Sequence, residues 1–185
     1  PNDRMLLAAE EEFSEDPNFT SVAATAENTT IPDHSLDLIV SAQAFHWFNV
    51  EIAKQEFQRI LRPGKLVAVI WNRRREDADA FSLSYDKLLQ QQSSDYNEVN
   101  HRKLNYNDFA AFFRDRNYEK VSFPSSQFFD EEGLIGRASS SSYVPLPDTE
   151  EGKAFISELK QLFAIYQQNG GVTFHYDTEV YLGQV

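Results

Sequence analysis

Hydrophobic residues recur along the first third of the chain with the spacing of helices and strands. Met5, Ala9 and Phe13 lie four residues apart and predict a first amphipathic helix. The stretch 19–26 is rich in Thr, Val and Ala and predicts a short strand. A second strand is predicted at 36–41, where the apolar run is continuous. Such a run is typical of a parallel strand that is buried on both faces.

A helix and another strand follow the second strand. Residues 51–62 carry apolar side chains on one stripe, and Pro63 with Gly64 predicts the end of that helix. Residues 65–71 are almost wholly apolar and predict a third strand. A strand, a helix and a strand at this spacing indicate a βαβ unit, in which the two strands run parallel.

The remaining patterns are mainly helical and alternate with two further strands. Helices are predicted at 81–92, at 107–113 and at 148–166, and strands are predicted at 118–129 and 173–183. We therefore expect an α/β protein with a doubly wound sheet. The chain is interpreted as one domain with a core at 1–75, 118–130 and 172–185 and a helical lid at 76–117 and 134–171.

Composition narrows the classes of partner. Seventeen basic residues against 29 acidic ones give a net charge of −12, which disfavours binding to nucleic acid or to an anionic membrane. The chain has no cysteine, so it has no disulfide framework and no thiolate chemistry, and we expect a cytoplasmic location. No stretch approaches the roughly 20 apolar residues that a membrane helix needs.

Polar and aromatic side chains stand directly after the second strand. The stretch SAQAFHW runs from Ser41 to Trp47. Because open parallel sheets bind ligands at the carboxyl ends of their strands, we expect this stretch to touch a ligand. The alternative is a packed aromatic corner in which His46 bonds a backbone carbonyl.

Four segments in the same order carry a resemblance to a known family. The segments are PNDRML, TAENTTIP, SLDLIVSAQAFHWF and FQRILRPGKLVAVIWN. Together they resemble the class I S-adenosylmethionine-dependent methyltransferases, in particular the type-11 group of small-molecule enzymes. The resemblance implies a Rossmann-like, mostly parallel sheet with an antiparallel C-terminal strand. The family's glycine-rich turn and the acidic residue that follows its second strand do not occur here, so we expect an N-terminally incomplete methyltransferase domain.

The resemblance also implies a set of site residues for S-adenosylmethionine and its methyl acceptor. The expected cofactor-binding residues are Asn2, Met5, Thr25, Ala26, Glu27, Ser41, Ala42 and Gln43. Thr25 stands where the family usually has Asp, which weakens the expected bond to the adenine amino group. The expected acceptor-binding residues are His46, Trp47 and Tyr143. No metal is expected, because the histidines lack the spacing of a metal site.

The chemistry of methyl transfer needs few special groups. Displacement at a sulfonium is accelerated mainly by positioning the nucleophile and excluding water, and a base helps only if the acceptor is protonated. His46 is the candidate catalytic base, because an unperturbed imidazole titrates near pH 6.5.

Several alternatives stay open. Tyr143, with the serines at 139–142, either covers the acceptor or lies in an exposed flexible loop. The run Arg73–Arg75 is either a solvated stretch or a clamp for an acceptor carboxylate. The whole chain is either a methyltransferase or a non-catalytic α/β binding module, including an inactive fragment of such an enzyme. Sheet edges left unpaired by the missing segment predict disorder, strand exchange or a homodimer.

Overall fold

The computed structural model describes residues 2–93, 96, 104 and 106–185. Its helices are α1 (Asp3–Glu12), α2 (Val50–Ile60), α3 (Ala80–Gln92), α4 (Tyr106–Phe112), α5 (Glu131–Ser139) and α6 (Glu150–Tyr166). Its strands are β1 (Leu36–Ala42), β2 (Leu61–Arg74), β3 (Tyr118–Phe129) and β4 (Val172–Gly183). Short 3₁₀ turns lie at Phe45–Trp47 and Arg114–Arg116. Within this described part of the chain, no helix is long and apolar enough to cross a membrane.

The four strands form one mixed sheet in the order β1-β2-β4-β3. The backbone amide of Ser35 donates to the carbonyl of Ile60, and Asp37 pairs with Arg62. Because both residue numbers rise together, β1 and β2 run parallel, as the βαβ prediction requires. Strand β4 is antiparallel to β2.

The described residues fall into two compact units. The first unit lies within Pro1–Val69, Tyr106–Glu119 and Tyr181–Val185, and the second lies within Ile70–Asn105 and Lys120–Val180. The interpretation as one domain with a helical lid stays a prediction.

The core of the first unit is built from phenylalanines. Helix α2 buries Ala53, Phe57 and Ile60, which belong to the stripe that the sequence predicts. The ring of Phe45 lies 5.3 Å from that of Phe109 and 5.1 Å from that of Phe112. Helix α4, which carries Phe109 and Phe112, is therefore part of this core.

The second unit has a larger core in which three helices pack on the sheet. Its buried members include Phe81, Tyr85 and Leu88 from α3, Leu134 and Ala138 from α5, Phe155 and Leu159 from α6, and Phe174 and Tyr176 from β4. Thr149 caps α6 by accepting a hydrogen bond from the amide of Gly152, so the helix begins at Glu150, two residues after the predicted start at 148.

Two expectations for the start of the chain are wrong. The stretch 19–26 is irregular and contributes only an isolated bridge between Thr25 and Asn28. Local bonds turn the backbone there, since the amide of Ala24 donates to Val22 and that of Asn28 donates to Thr25. Strand β1 is also not buried on both faces. Its apolar side chains at 38 and 40 are half exposed, because β1 is an edge strand of the described sheet.

The predicted boundary between α2 and the next strand is shifted. Helix α2 ends at Ile60, and β2 starts at Leu61, so Pro63 and Gly64 lie inside the strand. The carbonyls of Arg59 and Ile60 accept hydrogen bonds from the segment that leads into β1. These bonds satisfy the last carbonyls of the helix and end it before the proline is reached.

Candidate functional site

A buried serine lies near the carboxyl end of β1. Ser41 is only 5% exposed, and its hydroxyl has no hydrogen-bond partner among the residues that the structure describes. Ala42 and Gln43 are exposed, and Gln43 has a φ of 52°, which turns the chain sharply away from the strand. A buried hydroxyl without a partner at the carboxyl end of a parallel strand is a candidate contact for a ligand.

The next residues form a 3₁₀ turn with one anchored ring and one exposed ring. Phe45 is buried in the phenylalanine core of the first unit, whereas Trp47 is 76% exposed. The half-buried ring of His46 lies 4.5 Å from the ring of Trp47. Burial lowers the pKa of His46 because it disfavours the charged imidazolium. The turn thus holds a neutral imidazole beside an exposed indole.

Glu27 has a structural role that the sequence does not reveal. Its carboxylate accepts a 2.8 Å hydrogen bond from the amide of Asn49, the residue that caps α2. This bond is the main cause that lowers the pKa of Glu27, and the side chain of Thr25 adds to it. Asn49 lies two residues after the Phe45–Trp47 turn, so the bond links the expected cofactor residues 25–27 to the segment that follows this turn.

The two N-terminal site residues lie on an exposed helix. The side chain of Asn2 accepts hydrogen bonds from the amides of Arg4 and Met5, at 3.0 and 3.3 Å, and so caps α1. Met5 is 72% exposed, and α1 has no buried residue. Asn2 therefore starts the helix, while Met5 presents an open apolar surface.

Tyr143 belongs to the second unit. Its half-buried ring lies 5.0 Å from that of Tyr96, and Val144 beside it is buried. Of the serines before it, Ser140 bonds back to the carbonyl of Arg137 at the end of α5. The structure thus brings Tyr143 together with the second core.

The arginine run is not a solvated stretch at its first two positions. Arg73 pairs with the buried Glu179, and Arg74 pairs with Asp86. Neighbouring side chains on a strand point to opposite faces of the sheet. Arg73 and Arg74 therefore lie on opposite faces of β2 and pair with different carboxylates.

A cavity of about 500 Å³ lies elsewhere in the first unit. Its lining includes Leu66, Arg114, Tyr118 and Gln184 and contains none of the predicted site residues. Leu66 lies in the first half of β2, whereas Ser41 lies near the carboxyl end of the parallel strand β1. Neither the hydrophobic periodicity nor the motif spacing of the sequence predicts this cavity.

Comparison with known proteins finds methyltransferases among the proteins that this chain is similar to. A family model described as a methyltransferase domain matches residues 1–69. An uncharacterised methyltransferase-like protein of Schizosaccharomyces pombe is 28% identical over 168 residues, which is 88% of this chain and 63% of that protein. An uncharacterised methyltransferase of Mycobacterium tuberculosis is 38% identical over 60 residues, which is 32% of this chain and 25% of that protein. The chain thus spans less than two thirds of these relatives.

Solved structures share the fold. A putative type II methyltransferase of Anaeromyxobacter dehalogenans has a TM-score of 0.64 at 21% identity and covers 92% of this chain and 73% of its own. The YcgJ protein of Bacillus subtilis has a TM-score of 0.57 at 18% identity and covers all of this chain and 80% of its own. These likenesses confirm the Rossmann-like fold that the sequence predicts. The family match covers residues 1–69, so the chain is similar to a methyltransferase domain over that part, and the solved structures show the fold.

Proposed function

We propose that this chain binds S-adenosylmethionine at the turn after β1 and takes part in methyl transfer to a small-molecule acceptor. The observation that carries the proposal is the Ser41 hydroxyl, which is buried at the carboxyl end of β1 and has no partner among the described residues. A buried polar group without a partner is unfavourable unless a ligand or water satisfies it.

The residues present fit one side of the cofactor. S-adenosylmethionine, when bound, supplies a methyl group on an electrophilic sulfonium. Ser41 offers a hydroxyl at the strand end, and Met5 and Trp47 offer exposed apolar surface for an uncharged ring. The carboxylate of Glu27 already accepts the amide of Asn49, so its adjoining backbone is the part left for the adenine edge. A glycine-rich turn for the amino-acid end does not occur in the 185 residues.

His46 would accept a proton from an acceptor that must lose one. Only the neutral imidazole can do so, and burial keeps its pKa below the usual value. Trp47 beside it supplies aromatic surface for the acceptor. The acceptor is proposed to be a small molecule in a cytoplasmic setting.

A non-catalytic binding module is the second candidate. Its distinguishing property is the lack of any methyl transfer, whatever it binds.

Calorimetric titration with S-adenosylhomocysteine tests the proposal. We expect saturable binding that Ser41→Ala weakens several-fold, because the hydroxyl contributes a hydrogen bond in a buried place. The matched control is Ser140→Ala, which removes an exposed serine hydroxyl in the second unit and is expected to leave the affinity unchanged. Absence of saturable binding, or equal effects of both substitutions, would contradict the proposal.

A further inference from the structure

Arg74 and Tyr176 are cross-strand neighbours in the second unit. The hydroxyl of Thr178 donates to the side-chain oxygen of Asn72 at 3.0 Å, and the amide of Arg75 donates to the carbonyl of His175 at 2.8 Å. Both pairs give the same antiparallel register, which sets residue 74 opposite residue 176. Their side chains therefore stand on the same face of the sheet, within contact distance.

One terminal nitrogen of the Arg74 guanidinium donates hydrogen bonds, and the other has no partner among the described residues. Its Nη2 donates to a carboxylate oxygen of Asp86 at 3.1 Å and to the hydroxyl of Tyr96 at 2.7 Å. Its Nη1 is buried and has no partner among the described residues. A guanidinium can bind two anionic groups, one through each of its two edges. In Arg74, the edge with Nη1 has no partner among the described residues.

The Tyr176 hydroxyl is likewise buried without a partner among the described residues. Tyr176 is 4% exposed, and its Oη has no partner in the part of the chain that the structure describes. Two donors on adjacent strands and on the same face of the sheet thus have no acceptor among the described residues. Native proteins rarely bury such groups unpaired, and a pair of them calls for a ligand or an ordered water.

The surroundings of the two donors are aromatic and carry positive charge. The Arg74 guanidinium carbon lies 4.9 Å from the centre of the Tyr85 ring and 5.9 Å from that of Phe174. Burial raises the pKa of the Tyr85 hydroxyl, and the nearby Arg74 and Arg137 oppose that shift. Asp86 pairs with Arg74 and offsets one of these two cations, which leaves a positive charge that one more anionic group would complement.

We propose that Arg74 Nη1 and Tyr176 Oη bind a small carboxylate within the second unit. A carboxylate suits the two donors because it accepts a hydrogen bond at each oxygen and complements the guanidinium. The helices α3, α5 and α6 contribute to the core around this face, so a carboxylate reaches the donors only after part of that cover has moved.

Binding of simple carboxylates tests the inference. The probes are benzoate and succinate, each with its uncharged amide, benzamide and succinamide, measured by calorimetry on the whole chain. We expect the carboxylates to bind and the amides not to bind. Tyr176→Phe is expected to weaken carboxylate binding about tenfold, and Arg74→Lys is expected to weaken it further, since a lysine lacks the second edge.

Thermal stability separates a binding role from a merely buried hydroxyl. Tyr176→Phe removes only an unpaired group, so its melting temperature is expected to equal or exceed that of the unchanged protein. Equal carboxylate affinity in Tyr176→Phe, or equal binding of carboxylates and amides, overturns the inference. Titration with S-adenosylhomocysteine on the same variants is a separate readout. Carboxylate binding without S-adenosylhomocysteine binding overturns the proposed function but leaves the anion site, and the reverse result overturns the anion site alone.

Discussion

The backbone amide of Asn49 donates a 2.8 Å hydrogen bond to the carboxylate of Glu27. This bond joins a turn at the start of the chain to the first residue before α2, where a negative charge also interacts well with the helix dipole. We predict that Glu27→Ala lowers the free energy of unfolding by about 1 kcal/mol. Urea denaturation measures the change. Glu15→Ala, which removes an exposed glutamate, is the control and is expected to have almost no effect.

The pH dependence of stability should report on Glu56. Arg59 and Thr29 hydrogen bond its carboxylate and lower its pKa from 4.5 to about 2, with the bond from Arg59 as the largest cause. Because the folded pKa lies below the unfolded one, this stabilisation is complete above about pH 4.5 and is lost as the pH falls towards 2.

Glu56→Gln is therefore expected to lower the free energy of unfolding by about 2 kcal/mol at neutral pH. The variant should also show a shallower decline of stability than the unchanged protein between pH 4.5 and 2. Glu51→Gln, at an exposed position of the same helix, should retain the original slope. Parallel slopes for all three proteins would contradict the assigned role of Glu56.

Two helical glycines should respond to alanine with opposite signs. A Cβ at Gly152 would lie 1.9 Å from the carbonyl oxygen of Leu146, so backbone must move to admit it. We predict that Gly152→Ala destabilises the protein by about 1–3 kcal/mol. A Cβ at Gly136 would meet no atom within 4 Å, and Gly136→Ala is expected to stabilise the protein by about 0.5–1 kcal/mol. Thermal unfolding of the two variants makes the comparison.

The pH profile of the proposed methyl transfer should identify the role of His46. A base whose pKa is lowered by burial remains neutral below its usual titration range, so the activity is expected to stay level down to a pH below 6.5. His46→Gln should reduce kcat by about 10²–10⁴-fold and remove the acidic limb of the profile. Trp47→Phe should raise KM and leave that limb in place. A nearly unchanged kcat in His46→Gln would mean that the imidazole takes no proton.

The exposed edge at β1 should promote self-association. Leu38 and Val40 are more than half exposed on a strand with one neighbour, which is a surface that can accept a second strand. We expect concentration-dependent association in analytical ultracentrifugation. Leu38→Lys should abolish it, whereas Leu146→Lys, at an exposed leucine of the second unit, should not. Association that survives Leu38→Lys would place the contact elsewhere.

Strong periodicity made part of the fold predictable. The stripe of Phe57 and Ile60 on α2 and that of Phe155 and Leu159 on α6 are buried as expected, because each can only pack in one direction. Strand β1 was located correctly, but its burial was not, since burial depends on which neighbouring strands the chain supplies. The composition of residues 19–26 led to a wrong prediction of a strand. Local hydrogen bonds in this stretch outweigh the preference of its residues for strands.

The candidate site was predictable in position more than in detail. The order of strand and turn locates Ser41 and His46, but nothing in the spacing reveals that Glu27 holds the amide of Asn49. Arg74 appeared in the sequence only as one of three adjacent arginines. Its significance depends on the pairing of β2 with β4, which joins residues about a hundred positions apart.

The pairing of β2 with β4 also means that the adjacent charges of Arg73 and Arg74 help to fix the alignment of the two strands. Arg73 and Lys120 both bind the buried carboxylate of Glu179, while Arg74 next to it enters the aromatic core. A slip of β2 by a single residue would exchange the two arginines between faces and leave Glu179 without one of its cations. A sheet with this slip is therefore disfavoured during folding. Two adjacent positive charges thus select one register of β2 and β4, where apolar residues alone would allow several.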